Sequence, residues 1–107
     1  MAAVNINKGQ FEQMVRGEKP VLVEFWAPWC GYYRRIGPVY ETIAEEYGDR
    51  IAVVKINIDE EGQLADSEQV EIIPTLILYR NGTAAGSVVN PGTKEAIDQF
   101  IRETLAE

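Results

Sequence analysis

Histidine is absent from this 107-residue chain. That excludes serine or cysteine nucleophiles driven by an imidazole, and histidine-ligated metal sites. Cysteine occurs once, as Cys30, so no internal disulfide can form. No apolar run approaches the ~20 residues a membrane span requires. The start, Met1-Ala2-Ala3-Val4, lacks a basic region followed by an apolar stretch, so no secretory signal is expected. An unpaired cysteine without a signal fits a reducing cytoplasm. Positive charge is scarce as well: 10 Lys and Arg stand against 17 Asp and Glu, a formal net charge of −7. Nothing basic runs longer than Arg34-Arg35. This excludes the basic stripe of a nucleic-acid binder and disfavours anionic membrane surfaces. No linker, repeat or low-complexity tract is visible, and 46% apolar content suits one domain with one core.

What is present is a close succession of short elements. Residues 3–6 read as a brief strand. Asn7 then reads as a helix N-cap with Gln10 as its capping-box partner. Phe11, Met14 and Val15 follow at helical spacing, and Gly17 stops the run. Residues 21–26, Val-Leu-Val-Glu-Phe-Trp, read as a strand buried on both faces, with Glu24 its odd member. From Gly31 to Tyr47 an apolar stripe of Ile36, Val39, Tyr40, Ile43, Ala44 and Tyr47 predicts a helix. Pro38 lies inside it and is expected to kink it. Residues 51–58 read as a further strand, and Asp59 as the cap of a short helix with Glu60 and Glu61 in its first turn. Residues 75–80 and 84–89 read as two strands joined at Asn81-Gly82, a hairpin-turn signal. Thr93 caps a last helix whose core stripe is Ala96, Ile97, Phe100, Ile101 and Leu105. The order β-α-β-α-β-α-β-β-α implies parallel crossovers followed by an antiparallel hairpin, hence a mixed sheet with helices on both faces.

Cys30 carries the candidate chemistry. It sits between a buried strand and a helix, where unpaired N–H groups and the helix dipole favour a thiolate over a thiol. The competing reading is a small core hydrophobe. Its place at a strand-to-helix corner, in Trp29-Cys30-Gly31, favours the reactive thiol. Asn57 to Gly62, with Glu68 further on, partly fits a calcium-loop spacing. It opens on Asn and leaves a strand, so it reads instead as a solvated acidic helix start. Gly86 and Gly92 belong to no phosphate-binding pattern, and no cofactor is implied.

Phe25-Trp26-Ala27-Pro28-Trp29-Cys30-Gly31, then Pro38, Lys55-Ile56-Asn57-Ile58-Asp59, Ile73-Pro74-Thr75 and the Asn81-Gly82 hairpin are similar in order and spacing to the motifs of the thioredoxin family. The similarity runs over nearly the whole chain. It implies a thioredoxin-like α/β fold, a central mixed five-stranded sheet flanked by four helices, and thiol–disulfide exchange. Cys30 then matches the attacking thiol and Pro74 the family's cis-proline, which would set the Ile73 backbone beside Cys30. Trp29, Gly31, Tyr32, Ile73 and Pro74 would form the rim that receives a substrate segment. Glu24 matches the family's buried aspartate, and Lys55 the lysine near it. This pair reads either as a proton carrier or as a structural ion pair.

Two departures stand out. The family's Cys-Gly-Pro-Cys is here Cys30-Gly31-Tyr32-Tyr33. Tyr33 takes the place of the cysteine that resolves the mixed disulfide, and a phenol of pKa about 10 cannot perform that step. The chain is therefore expected to complete only the first half-reaction unless an external thiol such as glutathione supplies the second. Asn90 stands where the family commonly has glycine and is expected to narrow the groove while tolerating left-handed backbone geometry. The resemblance implies protein disulfides as substrates and a thioredoxin reductase as a further partner. A monomer is expected, with a Cys30–Cys30 disulfide dimer able to form in air. Two other readings remain: a redox-inactive binding module, and a metal or iron–sulfur site shared between chains, for which one thiolate per chain is meagre.

Overall fold

The computed structural model describes residues 3–106, and of residues 32–34 the backbone only. Five strands and four helices follow in the order β1 (Val4–Asn5), α1 (Lys8–Arg16), β2 (Val21–Trp26), α2 (Gly31–Tyr47), β3 (Ala52–Asn57), α3 (Gly62–Ser67), β4 (Thr75–Arg80), β5 (Thr83–Val89) and α4 (Lys94–Leu105). The strands form one sheet in the order β1-β3-β2-β4-β5. The first three are mutually parallel, β4 runs antiparallel to β2, and β5 antiparallel to β4. This is the expected mixed five-stranded sheet with four helices.

All six residues of β2 are buried. They alternate between two cores, as the pleat requires. Leu22 joins Leu76 and Leu78 of β4 beneath α2 and α4, with Ile36, Tyr40, Ile43, Ile97 and Ile101 closing that layer. Val21, Val23 and Phe25 join Val54, Ile56, Ile77 and Tyr79 on the other face, where Phe11 of α1 and Leu64 of α3 cover them. Glu24 therefore lies on the α2 side, with Leu22 and Trp26. Among the described residues no helix is long and apolar enough to cross a membrane.

Local sequence signals account for most element ends. Asn7 and Gln10 form the capping box, each side chain accepting the other's backbone N–H at 2.9 Å. Thr93 Oγ1 accepts Ala96 N–H at the start of α4. Asn81 and Gly82 both have positive φ, at 56° and 85°, the geometry of a two-residue hairpin turn. The second strand of that hairpin begins at Thr83, one residue before the expected start. α2 runs unbroken through Pro38.

One boundary differs in kind. Asp59 does not cap a helix: its N–H instead turns back onto Asn57 Oδ1 at 2.9 Å, and α3 begins three residues later with Glu61 as N-cap. The carboxylates of residues 59–61 thus precede the helix rather than occupying its first turn. A side-chain turn after the strand out-competes the helix start, as short polar residues often do.

α2 is anchored by Tyr40, which is fully buried. Its O–H lies 2.7 Å from the Val54 carbonyl and 3.0 Å from that of Leu22. Removing the hydroxyl leaves buried acceptors short of a donor. Tyr40→Phe is expected to lower unfolding stability by about 1–3 kcal/mol, measured by urea denaturation.

Candidate functional site

The C-terminal end of β2 delivers the chain through Ala27, Pro28 and Trp29 to Cys30, the N-cap of α2. Cys30 N–H donates to the Ala27 carbonyl at 3.1 Å, closing a tight turn. Its thiol is half-buried and belongs to neither core. A packing role is therefore not its place in the fold. No side-chain bond from Cys30 caps α2, so the sulfur stands at a helix end whose first N–H groups point outward.

A second segment meets it from the other side of the sheet end. The Ile73–Pro74 bond is cis, as the resemblance implied, and the Ile73 carbonyl accepts from Cys30 Sγ at 3.7 Å. Pro74 is buried, and its carbonyl accepts Asn90 N–H at 2.9 Å. Asn90 has φ of 47°, the left-handed backbone that asparagine tolerates. Its Oδ1 is buried without a hydrogen-bond partner. Gly31 is exposed, and a Cβ there would meet nothing within 4 Å. Tyr32 and Tyr33 lie in the first turn of α2, and their side chains fall outside the described residues.

Trp29 is exposed rather than packed in a core, with 68% of its surface accessible. Its indole N–H donates to Asp59 Oδ1 at 3.0 Å. Asp59 thus holds the tryptophan, a role that reading it as a helix cap missed. Its position just beyond a strand that ends beside β2 was the available signal.

Glu24, two residues before the end of β2, is fully buried, with neither carboxylate oxygen hydrogen-bonded. It stands level with Lys55 on the adjacent strand. Of the two readings, the direct ion pair is not formed: neither Glu24 oxygen has a hydrogen-bond partner. Lys55 Nζ lies instead 3.9 Å from Glu41 Oε2 on α2 and 5.6 Å from the centre of the Trp26 ring. Glu41, which the sequence reading did not single out, also accepts Ala3 N–H at 2.9 Å. Burial pushes the Glu24 carboxyl up from 4.5 to about 7; Lys55 pulls it partly back and Glu41 adds to the rise.

A family model described as Thioredoxin matches residues 2–103. The chain belongs to the thioredoxin family. It is 36% identical to a thioredoxin of Alicyclobacillus acidocaldarius, over 97% of this chain and 99% of that one. With thioredoxin 1 of Nostoc sp. the identity is 39%, over 97% and 98%. Among solved structures, Malassezia sympodialis thioredoxin superposes with a TM-score of 0.87 at 30% identity, covering 96% of this chain and 91% of that chain. Membership of the family supports thiol–disulfide oxidoreductase chemistry.

The Glu24 carboxyl makes stability depend on pH. The unfolded chain releases this proton near 4.5 and the folded chain only near 7. The unfolded state therefore binds fewer protons between those values, and stability falls as pH rises through them. The decline from this one group is about 3 kcal/mol. Urea unfolding from pH 4.5 to 8 is expected to show it, and Glu24→Gln to flatten the profile across that window.

Proposed function

We propose that this thioredoxin-family protein is a thiol–disulfide oxidoreductase whose Cys30 attacks protein disulfides and whose cycle halts at the mixed disulfide. The observation that carries the reading is the half-buried Cys30 sulfur at the start of α2, beside the Ile73 carbonyl. The Cys30 thiolate attacks one sulfur of a substrate disulfide. A new S–S bond forms to Cys30, the substrate's S–S bond breaks, and the second substrate sulfur leaves as a thiolate. Release of the bound half requires another thiol. Tyr33 occupies the position from which the family supplies it, so an external thiol must attack in its place.

Glu24 and Lys55 act as a buried carboxyl and a cation below the thiol. With no resolving cysteine to deprotonate, the carboxyl has no proton to collect in the first step. Trp29, Gly31, Tyr32, Ile73, Pro74 and Asn90 form the substrate rim. A reducing cytoplasm, protein disulfides as substrates, a reductase of the family as electron source, and a monomer are the setting this reading calls for.

One observation favours a second reading, a protein-binding module without redox turnover. Among the described residues, three of the four most exposed large apolar side chains, Trp29, Ile72 and Val89, belong to the rim segments or directly flank them. Alkylation of Cys30 separates the two, since a binding module keeps its partner affinity when the thiol is blocked.

The reduced protein, mixed with a disulfide substrate, is expected to yield a stable adduct on Cys30 by intact-mass spectrometry. Tyr33→Cys is expected to dissolve that adduct and give multiple turnovers in an insulin-reduction assay. Failure of Cys30 to react faster than a free cysteine would sink the proposal.

A further inference from the structure

At the end of the sheet away from Cys30, where β2 begins, a pocket of about 190 Å³ opens between the last turns of α2 and α4. The six residues of β2 set it roughly 20 Å from the thiol. Pro20, Ile51, Ile101 and Leu105 supply apolar surface, and Tyr47 one wall. Arg50 and Arg102, both exposed, complete the lining. An apolar cavity of about 150 Å³ is enough to hold benzene. The pocket therefore has room for a single ring or a branched chain of similar size.

The two guanidiniums set the charge of what fits. The chain has a formal net charge of −7, yet among the described residues no Asp or Glu lines this pocket. Asp98, one turn before Arg102 on α4, is already engaged. Tyr47 O–H donates to its Oδ1 at 2.9 Å, and Lys94 Nζ lies 2.9 Å from its Oδ2. Arg50 lies over the Tyr47 ring, 4.8 Å from its centre, which holds the guanidinium at the mouth. Neither arginine has an ion pair among the described residues. Backbone acceptors at this end are occupied as well. The Tyr47 carbonyl takes the N–H groups of Arg50 and Ile51 at 2.8 and 2.9 Å, and the Pro20 carbonyl takes that of Ala52 at 2.8 Å. Two cations beside apolar surface, with the local acceptors taken, complement an anion that carries an apolar body.

We propose that this pocket binds a small apolar carboxylate, its ring or branched chain against Ile51, Ile101 and Leu105 and its carboxylate on Arg50 and Arg102. Such a ligand touches the end of α2, the approach to β3 and the end of α4 at once. Those surfaces meet only in the folded chain, so binding also stabilises the fold. The site is independent of the thiol and of the function proposed above.

3-Phenylpropionate titrated into the 15N-labelled protein, with 3-phenylpropionamide as its uncharged counterpart, tests this. A ligand of about eleven non-hydrogen atoms is expected to bind with a Kd on the order of 1 mM. Amide shifts are expected to saturate at Tyr47, Arg50, Ile51, Ile101 and Arg102. The acid should bind about two- to fivefold tighter than the amide at low salt, and added salt should erode that margin. Arg50→Gln and Arg102→Gln should each weaken the acid and leave the amide unchanged. Arg16→Gln, which removes an equal charge from α1 on the other face of the sheet, should alter neither. Equal affinity for acid and amide, no loss in either arginine variant, or shifts confined to other surfaces would each overturn the proposal. A tripeptide ending in phenylalanine that binds the same residues more tightly than the free acid would overturn the small-molecule assignment.

Discussion

Strand β2 is covered on both faces, between parallel β3 and antiparallel β4, and its C-terminal end hands the chain directly to Cys30. That burial positions everything at the site. Six consecutive buried residues remove any freedom of register, because a slip of one would exchange the two faces. Leu22 and Phe25 are then committed to opposite cores, and α2 has one seat above Leu22. Tyr40 fastens that seat by reaching through to carbonyls of β2 and β3. The N-terminal end of α2, and the sulfur with it, has no other place to go.

The same burial explains why Glu24 is unusual. A carboxyl in the middle of such a strand must lie in one of the two cores, and alternation sends it beneath α2. There it meets no hydrogen-bond donor, and the nearest ion pair joins Lys55 to Glu41 rather than to Glu24. A buried carboxylate left in this condition is costly, so the proton is retained to higher pH. The fold thus holds, in the strand that leads to the thiol, a carboxyl that titrates near neutral pH.

Around the sulfur, three separate segments converge: the start of α2, the Ile73–Pro74 shelf and the Pro74–Asn90 contact. Trp29 is added from outside and held by Asp59. None of these contacts is between sequence neighbours beyond a single turn. Their meeting depends on the sheet order, which brings the ends of β2, β4 and β5 together at one edge of the molecule.

Much of the fold was legible in the sequence because its signals are local. The capping box at Asn7 and Gln10, the Asn81-Gly82 turn, the apolar β2 run and the α2 stripe each depend on spacing within a few residues. The position of Cys30 between strand and helix was legible for the same reason. What spacing could not show was which side chains meet across the sheet. Asp59 looks like a helix cap in one dimension and is a partner of Trp29 in three. Lys55 stands level with Glu24 on the neighbouring strand, yet its ion pair is with Glu41, because the path of α2 above the sheet decides where the ammonium lies. The exposed pair of Ile72 and Val89 emerges only when β5 becomes the edge. The sequence by itself determined the elements, the lone thiol and the absence of a second; tertiary structure decided the partners and the pocket, because both arise from contacts between residues far apart in the chain.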